Sequence, residues 1–243
     1  MNDDSPNIAV YVINLAGATQ RMQHMIGQLQ RLCLPFTRIE AVLGASLQEP
    51  IKGFDEKHFN ILTGKHASKG EIGCFFSHIQ TLETFLTTSS TYALVLEDDV
   101  ILPGNLLTLI QQACDYREKW DLLRLTSSRE GAFLSIADLD GEYKLAYNTR
   151  VLKNTGGYLI NRKAAARCIQ HLMPMRLPYD VALDREWDCG FKTACIHPFP
   201  IQLAPFEGQI RKAPRIRRYR ATSFHLFHLY SHFQRKWYRQ NYL

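Results

Sequence analysis

The chain has 243 residues, of which 46% are apolar, with 29 Lys and Arg against 23 Asp and Glu. This length allows one large domain, or one domain with a tail, and the composition suffices for a sizeable core. No apolar stretch reaches the roughly 18 residues of a membrane-spanning helix, and the acidic, polar N-terminus does not resemble a signal peptide. Six scattered cysteines without a CxxC pair are typical of reduced thiols in a cytosolic protein, rather than of a disulfide framework or a zinc site.

The basic charge is concentrated at the C-terminal end. Nine of the 29 bases follow Glu207 and no acid does, which leaves 20 bases against the 23 acids in residues 1–207. The high isoelectric point therefore belongs to the tail and not to the body.

Residues 8–42 predict a strand, a helix and a second strand. The apolar run over 8–15 indicates a buried strand, and apolar residues at helical spacing then continue to about Leu32. With a second strand over 36–42, this makes a right-handed crossover unit. Arg21 lies on the first turn of the helix, where it is either a solvated charge or a contact for a phosphate.

Residues 44–87 predict a loop with short helical pieces, followed by a helix. Glycines and a proline interrupt 44–70, and long loops of this kind tend to be functional. The segment 70–78 leads into a helix that continues to about Thr87. Ser77 and His78 either pack with satisfied hydrogen bonds or face a substrate pocket.

An acidic cluster follows the next apolar run, in which residues 92–96 lead straight into Glu97, Asp98 and Asp99. A short unbroken apolar run is typical of a strand buried on both faces, as in a parallel sheet, and ligands bind at the C-terminal ends of such strands. Adjacent acids repel one another unless a cation neutralises them, and Mg²⁺ and Mn²⁺ bind carboxylates together with substrate phosphates. The cluster therefore predicts a metal–diphosphate site. The alternative is a solvated acidic turn, closed by Pro103-Gly104.

The second half of the chain predicts a helix, a strand, a hairpin with Asp140-Gly141 at its turn, and another strand, over residues 105–119, 120–125, 127–150 and 155–161. Asn161 is predicted to be the N-cap of a helix over 162–172. A second acid group, Asp180, Asp184 and Glu186, comes next. Prolines in 195–201 indicate an edge strand or an extended loop.

The tail has a basic, proline-interrupted part over 209–220 and a predicted helix over 222–242. The expected apolar stripe of this helix holds Leu226, Phe227, Tyr230, Phe233 and Trp237, and the expected polar face holds His225, His228, Ser231, Arg235 and Arg239. A basic amphipathic helix rich in aromatic residues indicates binding to an anionic membrane surface. The alternative is a helix that packs on the body or on a second subunit. No DNA- or RNA-binding signature accompanies it, so no nucleic-acid partner is expected.

Six segments between residue 8 and about residue 205 resemble glycosyltransferase family 25, the group that contains bacterial lipooligosaccharide galactosyltransferases and collagen galactosyltransferases. In family order they are Val12–Leu15 with Arg21, Glu40–Val42, Gly70–Cys74 with Ser77-His78, Leu96–Val100, Thr155–Ile160, and Leu177–Asp180. The third segment followed by the fourth is the most specific part of the resemblance.

The resemblance implies a GT-A-like α/β single domain over residues 1–207, with a mostly parallel central sheet flanked by helices. A basic amphipathic helical tail over residues 208–243 would follow. It also implies a nucleotide-diphosphate sugar donor, Mn²⁺ or Mg²⁺, and inversion at the anomeric carbon. The expected activity is transfer of a hexose, with galactose favoured, from a UDP-sugar to a lipooligosaccharide or lipopolysaccharide acceptor. The expected location is the inner face of the bacterial cytoplasmic membrane, where the tail would hold the protein peripherally.

Site residues follow from the same resemblance. The family's acid triplet falls on Glu97, Asp98 and Asp99, with Asp99 as the expected metal ligand, because a cation bridging both phosphates stabilises the charge of a UDP leaving group. Asp180 matches the position of the base that takes the acceptor proton, and a helix N-cap is its alternative role. The rival bases are Asp184 and Glu186. The expected nucleotide contacts are Asn14, Leu15, Arg21, Ser77, His78, Glu97 and Asp98, and the further expected metal ligands are Glu97 and His197.

Two other functions are compatible with the sequence. A metal-dependent nucleotidyl or phosphoryl transferase could use the same acidic strand end, although no Walker loop is present. A non-catalytic saccharide-binding protein could have the same fold, and the intact acid triplet argues against it.

Overall fold

The computed structural model describes residues 6–206, 216 and 223–242, which form a mixed α/β fold. The strands are β1 Ile8–Asn14, β2 Thr37–Glu40, β3 Tyr92–Glu97, β4 Val100–Ile101, β5 Leu122–Arg124, β6 Phe133–Asp138, β7 Lys144–Asn148, β8 Gly157–Asn161, β9 Thr193–His197 and β10 Gln202–Leu203. The helices are α1 Thr19–Arg31, α2 Glu56–Thr63, α3 Lys69–Leu86, α4 Leu106–Cys114, α5 Arg162–Leu172, α6 Tyr179–Leu183, α7 Glu186–Cys189 and α8 Ser223–Tyr242.

A central sheet of eight strands has the order β2-β1-β3-β8-β5-β9-β7-β6. Among these described strands, β1 pairs in parallel with β2 and β3, and β5 with β9, while the other four neighbouring pairs are antiparallel. The sheet is therefore mixed, and the expectation of a mostly parallel sheet is not confirmed. The reason is that β8 inserts antiparallel between β3 and β5, and that β6 and β7 form a hairpin at the edge.

The sheet has a hydrophobic core on each face, and β3 contributes to both. Ala93 and Val95 belong to the core that includes residues of α3, α5 and α6, whereas Leu94 and Leu96 belong to the core that includes residues of α1 and α4. Successive side chains of a strand point to opposite faces of the sheet. Burial on both faces thus explains the unbroken apolar run that precedes the acid cluster.

Local signals placed several elements correctly. The strand–helix–strand unit over residues 8–42 is present as β1, α1 and β2, with both strands parallel. The Asn161 side chain caps α5 by accepting a hydrogen bond from the Ala164 backbone N–H. Gly141 adopts a φ of 62° at the turn between β6 and β7, a conformation that favours glycine.

The prediction of an edge strand or loop at residues 195–201 is wrong in part. β9 lies inside the sheet between β5 and β7, and its residues 193–196 are buried. Pro198 follows the strand, so the prolines interrupt none of its pairing.

The C-terminal helix α8 packs on the body with its polar face, which the amphipathic pattern alone did not indicate. Arg235 donates to the Asp184 carbonyl at 3.1 Å, and Arg239 pairs with the Glu186 carboxylate at 2.8 Å. The large apolar side chains left exposed, by 52–67%, are Leu226, Leu229, Tyr230, Phe233 and Trp237. His225 and His228, at the start of the expected polar face, are exposed as well. None of the described helices has the length and apolarity needed to cross a bilayer.

Two corrections apply to the tail. Ser231 and Arg235 are buried against the body, and Phe227, expected in the exposed stripe, packs on a hydrophobic core. Most of the basic segment 209–220 lies outside the described residues. The division into a 1–207 domain and a 208–243 tail stays a prediction.

Candidate active site

A cavity of about 470 Å³ lies at the C-terminal ends of β1 and β3, and we call it the first cavity. Because β1 and β3 are parallel and in register from Ile8↔Tyr92 to Ile13↔Glu97, the acid cluster ends up beside the residues that follow β1. Seven residues expected from the sequence line this cavity: Leu15, Arg21, Ser77, His78, Glu97, Asp98 and Asp99. Its size is in the range of small-molecule sites.

Asp98 is held in place by neighbours on α1 and β1. Its Oδ2 accepts a hydrogen bond from Asn14 Nδ2 at 2.6 Å, and its Oδ1 accepts one from Arg21 Nη1 at 3.0 Å. Asn14 is itself buried and also donates to the Ala18 carbonyl. The structure therefore gives Asn14 a positioning role behind Asp98, and it does not line the cavity.

Asp99 differs from Asp98 although the two are adjacent. Its contact with Arg21 is longer, at 3.3 Å, and its side chain stays 28% exposed. Burial and then the negative charge of Glu97 raise the pKa of Asp99 to about 6, against the opposing attraction of Arg21. A carboxylate in this environment would be stabilised by a further cation.

Glu97 is part of a buried hydrogen-bond network. Its Oε1 accepts from Thr155 Oγ1 at 2.8 Å and lies 3.2 Å from His78 Nε2. Burial alone would raise the pKa of Glu97, but hydrogen bonding and attraction from His78, together with Thr155, lower it below its ordinary value. No bond to Oε2 is found within the described parts of the chain, so this oxygen is available to another partner.

Ser77 and His78 are already occupied by contacts within the fold. Ser77 Oγ accepts from the Val42 N–H at 2.8 Å and donates to the Gly73 carbonyl. The His78 ring stacks on Tyr179 with 4.2 Å between centroids, and its Nδ1 lies 3.1 Å from the Tyr158 hydroxyl. Both residues form the wall of the first cavity as packed, hydrogen-bonded groups.

The N-terminus of α3 forms the opposite wall of the first cavity, through Ser68, Lys69 and Gly70. A capping box between Ser68 and Glu71 starts this helix. Helix N-termini favour anions because free N–H groups and the helix dipole point at them. A Cβ at Gly73 would lie 2.4 Å from the Val42 carbonyl oxygen, so glycine is needed for α3 to approach the loop that follows β2.

A hard cation fits the carboxylates better than the neighbouring imidazole and thiol. Among the described residues, the ligand atoms of Cys74, His78 and Glu97 lie within 4.8 Å of one another. Burial, followed by the charges of Glu97, Asp180, Asp99 and Glu71, raises the pKa of the Cys74 thiol well above its ordinary value, whereas a metal-bound thiol must be deprotonated. Mn²⁺ and Mg²⁺ prefer oxygen ligands, which Asp99 and Glu97 can supply.

The structure does not bring His197, the third expected metal ligand, to this site. It ends β9, which is separated from β3 by β8 and β5. Its ring stacks on Phe133 with 3.8 Å between centroids.

Two of the three predicted bases are held in buried ion pairs. Asp184 pairs with the fully buried Arg124 at 2.9 Å and accepts from the backbone N–H groups of Leu152 and Lys153. Glu186 is 1% exposed and pairs with Arg239. These contacts give Asp184 and Glu186 structural roles, and a carboxylate held in a buried ion pair is poorly suited to take up a proton.

Asp180 lies in the first turn of α6, whose N-cap is Pro178, so its alternative role as an N-cap is wrong. It lines a second cavity of about 210 Å³, bounded by α6, α8 and residues near Lys65 and Lys153. Burial raises the pKa of Asp180 above its ordinary value, against the attraction of Lys153. Ser68 lines the first cavity and Glu71 lines the second, and the capping box joins these two residues, so the two cavities are neighbours.

Sequence reasoning missed several residues of the site. The Ser68-Lys69-Gly70-Glu71 pattern is a readable capping-box signal. Thr155 lies in a segment recognised by resemblance, but nothing in its spacing indicates a bond to Glu97. Arg124 and Lys153 carry no local signal, because their roles depend on partners tens of residues away.

Comparison with known proteins identifies the family. Residues 7–183 match the sequence model of "Glycosyltransferase family 25 (LPS biosynthesis protein)". A rat protein named "Probable inactive glycosyltransferase 25 family member 3" is 26% identical over 216 residues, covering 82% of this chain and 36% of the rat protein. The "Lipooligosaccharide biosynthesis protein lic2B" of Haemophilus influenzae is 24% identical over 181 residues, covering 72% of this chain and 67% of that protein.

A third relative, "Procollagen galactosyltransferase 1-B" of Xenopus laevis, is 26% identical over 133 residues, or 49% of this chain and 21% of that protein. The chain thus spans only about a third of the rat relative and a fifth of the frog relative. The family match covers well over half of the chain and includes the acid cluster, the start of α3 and Asp180. The chain belongs to glycosyltransferase family 25.

Proposed function

We propose that this protein transfers a hexose, with galactose favoured, from a UDP-sugar to a saccharide acceptor of the lipooligosaccharide or lipopolysaccharide type, with inversion at the anomeric carbon. The name of the Haemophilus relative, a lipooligosaccharide biosynthesis protein, supports the acceptor class. The name of the Xenopus relative, a procollagen galactosyltransferase, supports the sugar. The proposal depends on one observation above all. Glu97, Asp98 and Asp99 lie together in a cavity that the N-terminus of α3 also lines, and within the described part of the chain Arg21 pairs with Asp98 and Asp99.

Donor binding follows from the two walls of the first cavity. Arg21 and the N-terminus of α3 offer positive charge and N–H donors to a diphosphate. A Mn²⁺ or Mg²⁺ ion held by Asp99 and Glu97 would neutralise the charge of the leaving diphosphate. Asp98, fixed by Asn14 and Arg21, keeps the cluster in position.

Transfer needs a base for the acceptor. The acceptor oxygen forms a bond to the anomeric carbon while the bond from that carbon to the β-phosphate oxygen breaks, and UDP leaves with the electron pair. The hydroxyl proton passes to a carboxylate, for which we propose Asp180. Its raised pKa suits a base near neutral pH, and it is not held in an ion pair as Asp184 and Glu186 are.

Titration calorimetry tests the donor site. UDP is titrated into wild type, Asp99→Asn and the exposed control Asp115→Asn, each with and without Mn²⁺. We expect Mn²⁺-dependent binding in wild type and the control, and a loss of at least about tenfold in Asp99→Asn, because removing a charged ligand costs more than about 1.4 kcal/mol. Equal UDP affinity in Asp99→Asn and wild type would contradict the proposal.

The rat relative's name favours a second candidate, a non-catalytic saccharide-binding protein. The two candidates differ in turnover. A transferase releases UDP from UDP-galactose when a saccharide acceptor is supplied, and Asp180→Asn abolishes this release without loss of UDP binding. Mn²⁺-dependent UDP binding with no UDP release from any UDP-hexose would favour the second candidate. The comparisons give no support to a nucleotidyl or phosphoryl transferase.

We also propose that α8 holds the protein at the inner face of the cytoplasmic membrane. The exposed stripe of Leu226, Leu229, Tyr230, Phe233 and Trp237 is apolar and aromatic, as in helices that lie in a bilayer interface. The acid-free tail after Glu207 complements anionic headgroups. Because Arg235 and Arg239 contact the body, the helix would meet the bilayer with its apolar stripe.

A further inference from the structure

The second cavity is lined by the proposed base, Asp180, and by residues of α8 that take no part in the donor site. One wall belongs to α8, with Phe224, Phe227, His228, Ser231 and Arg235, and the facing wall includes Lys153 and Asp180. Ligand sites typically combine apolar walls with a few placed polar groups, and this cavity has that character.

Most charges around the second cavity are already paired. Lys65 pairs with Glu71, Asp184 pairs with Arg124, and Arg185 pairs with Asp188. Arg235 donates through Nη2 to the Asp184 carbonyl, yet its Nε–H is buried with no hydrogen-bond acceptor among the described residues.

After Arg235, Lys153 is the second cation of this cavity with unused hydrogen-bond donors. Its side chain makes no hydrogen bond or ion pair with the described residues, although its charge acts on Asp180. Burial lowers the pKa of His228 on the α8 wall, and the positive charges of Lys153, His225, Arg129 and Arg185 lower it further. An anion in the second cavity would lie near both Lys153 and Arg235, which line it.

The position of Lys153 is fixed by the buried pair behind it. Lys153 and Asn154 have φ values of 56° and 63°, a left-handed conformation that is unfavourable for most residues other than glycine. Asp184 Oδ2 accepts from the Lys153 N–H at 2.8 Å, and Arg124 donates to the carbonyls of Lys153 and Asn154. Asp184, once a candidate base, thus holds the loop that carries the Lys153 side chain to the cavity.

We infer that the second cavity binds the acceptor saccharide through an anionic substituent, a phosphate or a carboxylate, held by Lys153 and Arg235. The inference rests on the proposed transferase function and adds the chemical class of the acceptor. The saccharide ring packs against Phe224 and Phe227, and the hydroxyl to be glycosylated faces Asp180. The two sites adjoin at the start of α3, where Ser68 of the first cavity and Glu71 of the second form one capping box.

Direct binding tests this inference without turnover. Glucose, glucose 6-phosphate and glucuronate are titrated calorimetrically into the full chain at pH 7. We expect at least one anionic sugar to bind about tenfold more tightly than glucose, because only the anionic sugars can form a charge-assisted hydrogen bond with Lys153 or Arg235. Preference for the phosphate or for the uronate identifies the substituent. Equal binding of all three sugars, or binding of none, overturns the inference.

Substitutions of Lys153 test whether this residue causes the preference for an anionic sugar. Lys153→Met is expected to abolish the preference for the anionic sugar, while Lys153→Arg and the exposed control Lys119→Met retain it. A preference that persists unchanged in Lys153→Met overturns the inference. In wild type, the bound anion should raise the pKa of His228 in an NMR titration, and the exposed His58 on α2 should not respond. An unchanged His228 overturns the assignment to this cavity.

Failure of the proposed donor chemistry would be seen separately. UDP binding with Mn²⁺ is measured on the same variants and is expected to be equal in Lys153→Met and wild type. Loss of UDP binding with the sugar preference intact would count against the donor site alone. Intact UDP binding without a sugar preference would count against the second cavity alone.

Discussion

Asp98 and Asp99 are adjacent in the chain, yet the fold treats their charges in opposite ways. Asp98 accepts hydrogen bonds from Asn14 and Arg21, so its carboxylate is compensated within the protein. Asp99 has a weaker contact with Arg21 and a pKa raised to about 6, first by burial and then by Glu97. A carboxylate whose negative charge the fold neutralises only in part is suited to bind a cation, which agrees with the donor site proposed for Asp99.

This difference predicts opposite effects on stability at pH 7. Asp98→Asn should lower the free energy of unfolding by about 1–3 kcal/mol, because it removes a buried charged acceptor from Arg21 and Asn14. Asp99→Asn should raise it by about 1 kcal/mol, because the ionised carboxylate is disfavoured in the fold. Chemical denaturation of the three proteins without metal measures both changes.

The pH dependence of Asp99→Asn provides the control. The folded pKa of Asp99 is raised, so the disadvantage of wild type begins to shrink as the pH falls through about 6, where the native carboxylate takes up a proton. It vanishes only below the ordinary value of 3.8, where the unfolded carboxylate is protonated too. The advantage of Asp99→Asn should therefore be largest at pH 7–8, smaller near pH 5 and absent near pH 3. A variant less stable than wild type at pH 7 would contradict the assignment.

At the scale of elements, the sequence predicted what local patterns determine. The apolar run of β3, the periodic α1 and the Asn161 cap of α5 each depend on neighbouring residues, and each was placed correctly. The ends of β1 and β3 converge because both strands are parallel, so the acid cluster and Arg21 could also be expected together.

Elements whose role depends on distant partners were not predictable in this way. An amphipathic pattern shows that the two faces of α8 differ, but the packed face is decided by Asp184 and Glu186, which lie about fifty residues earlier. The prolines after β9 suggested an edge, whereas its place in the sheet depends on pairing with β5 and β7. Asp184 was read as a candidate base because its partner, Arg124, is 60 residues away.

Asp121 joins three elements and should be a stability determinant. It precedes β5, and its carboxylate accepts from the Asn161 side chain at the start of α5 and from the Lys192 N–H before β9, both at 3.0 Å. Burial would raise the pKa of Asp121, but these bonds and the Lys163 charge lower it. Asp121→Ala should reduce the free energy of unfolding by about 2–4 kcal/mol at pH 7.

The ionised Asp121 carboxylate stabilises the folded state, whereas the ionised Asp99 carboxylate destabilises it. A lowered carboxylate pKa gives stability that is present above the ordinary value of 3.8 and is lost as the pH falls through the folded value. The stability gap between wild type and Asp121→Ala should therefore narrow below about pH 4. A gap that stays constant from pH 7 to pH 3 would show that the ionised form contributes nothing.

The pair of Glu186 and Arg239 should hold α8 on the body. Glu186 is 1% exposed, so Arg239→Met leaves a buried carboxylate without its partner and should cost about 3–5 kcal/mol. The double variant Glu186→Gln/Arg239→Met should recover much of this loss, because no unpaired charge remains. Urea unfolding of the single and double variants gives the coupling energy, and strictly additive losses would argue against the pair.

At the scale of the whole molecule, α8 links three features that are far apart in the sequence. Its polar face contacts Asp184 and Glu186, its inner residues close the second cavity, and its exposed stripe faces outward. The proposed acceptor is anchored to a lipid, so it would have to reach a site close to the bilayer. A helix that borders the second cavity and also contacts the bilayer, as we propose for α8, would satisfy this requirement.

Membrane binding should therefore depend on the stripe and not on apolar exposure in general. Phe233→Ser/Trp237→Ser removes two half-exposed aromatic rings, and at about 25 cal/mol per Å² of apolar surface this should weaken vesicle binding by at least tenfold. Leu134→Ser, at a site on β6 that is 61% exposed, is the matched control and should bind like wild type. Sedimentation with vesicles rich in anionic lipid measures binding, and circular dichroism checks that each variant is folded.

The ionic strength separates the two contributions to this binding. The basic tail should make the affinity fall as salt rises, because exposed charges are screened beyond about 10 Å at 0.1 M. The apolar stripe should preserve part of the affinity at high salt, and the double serine variant should lose this remaining affinity. If the double variant binds as tightly as wild type in high salt, the stripe does not contact the bilayer, and α8 serves only to close the second cavity.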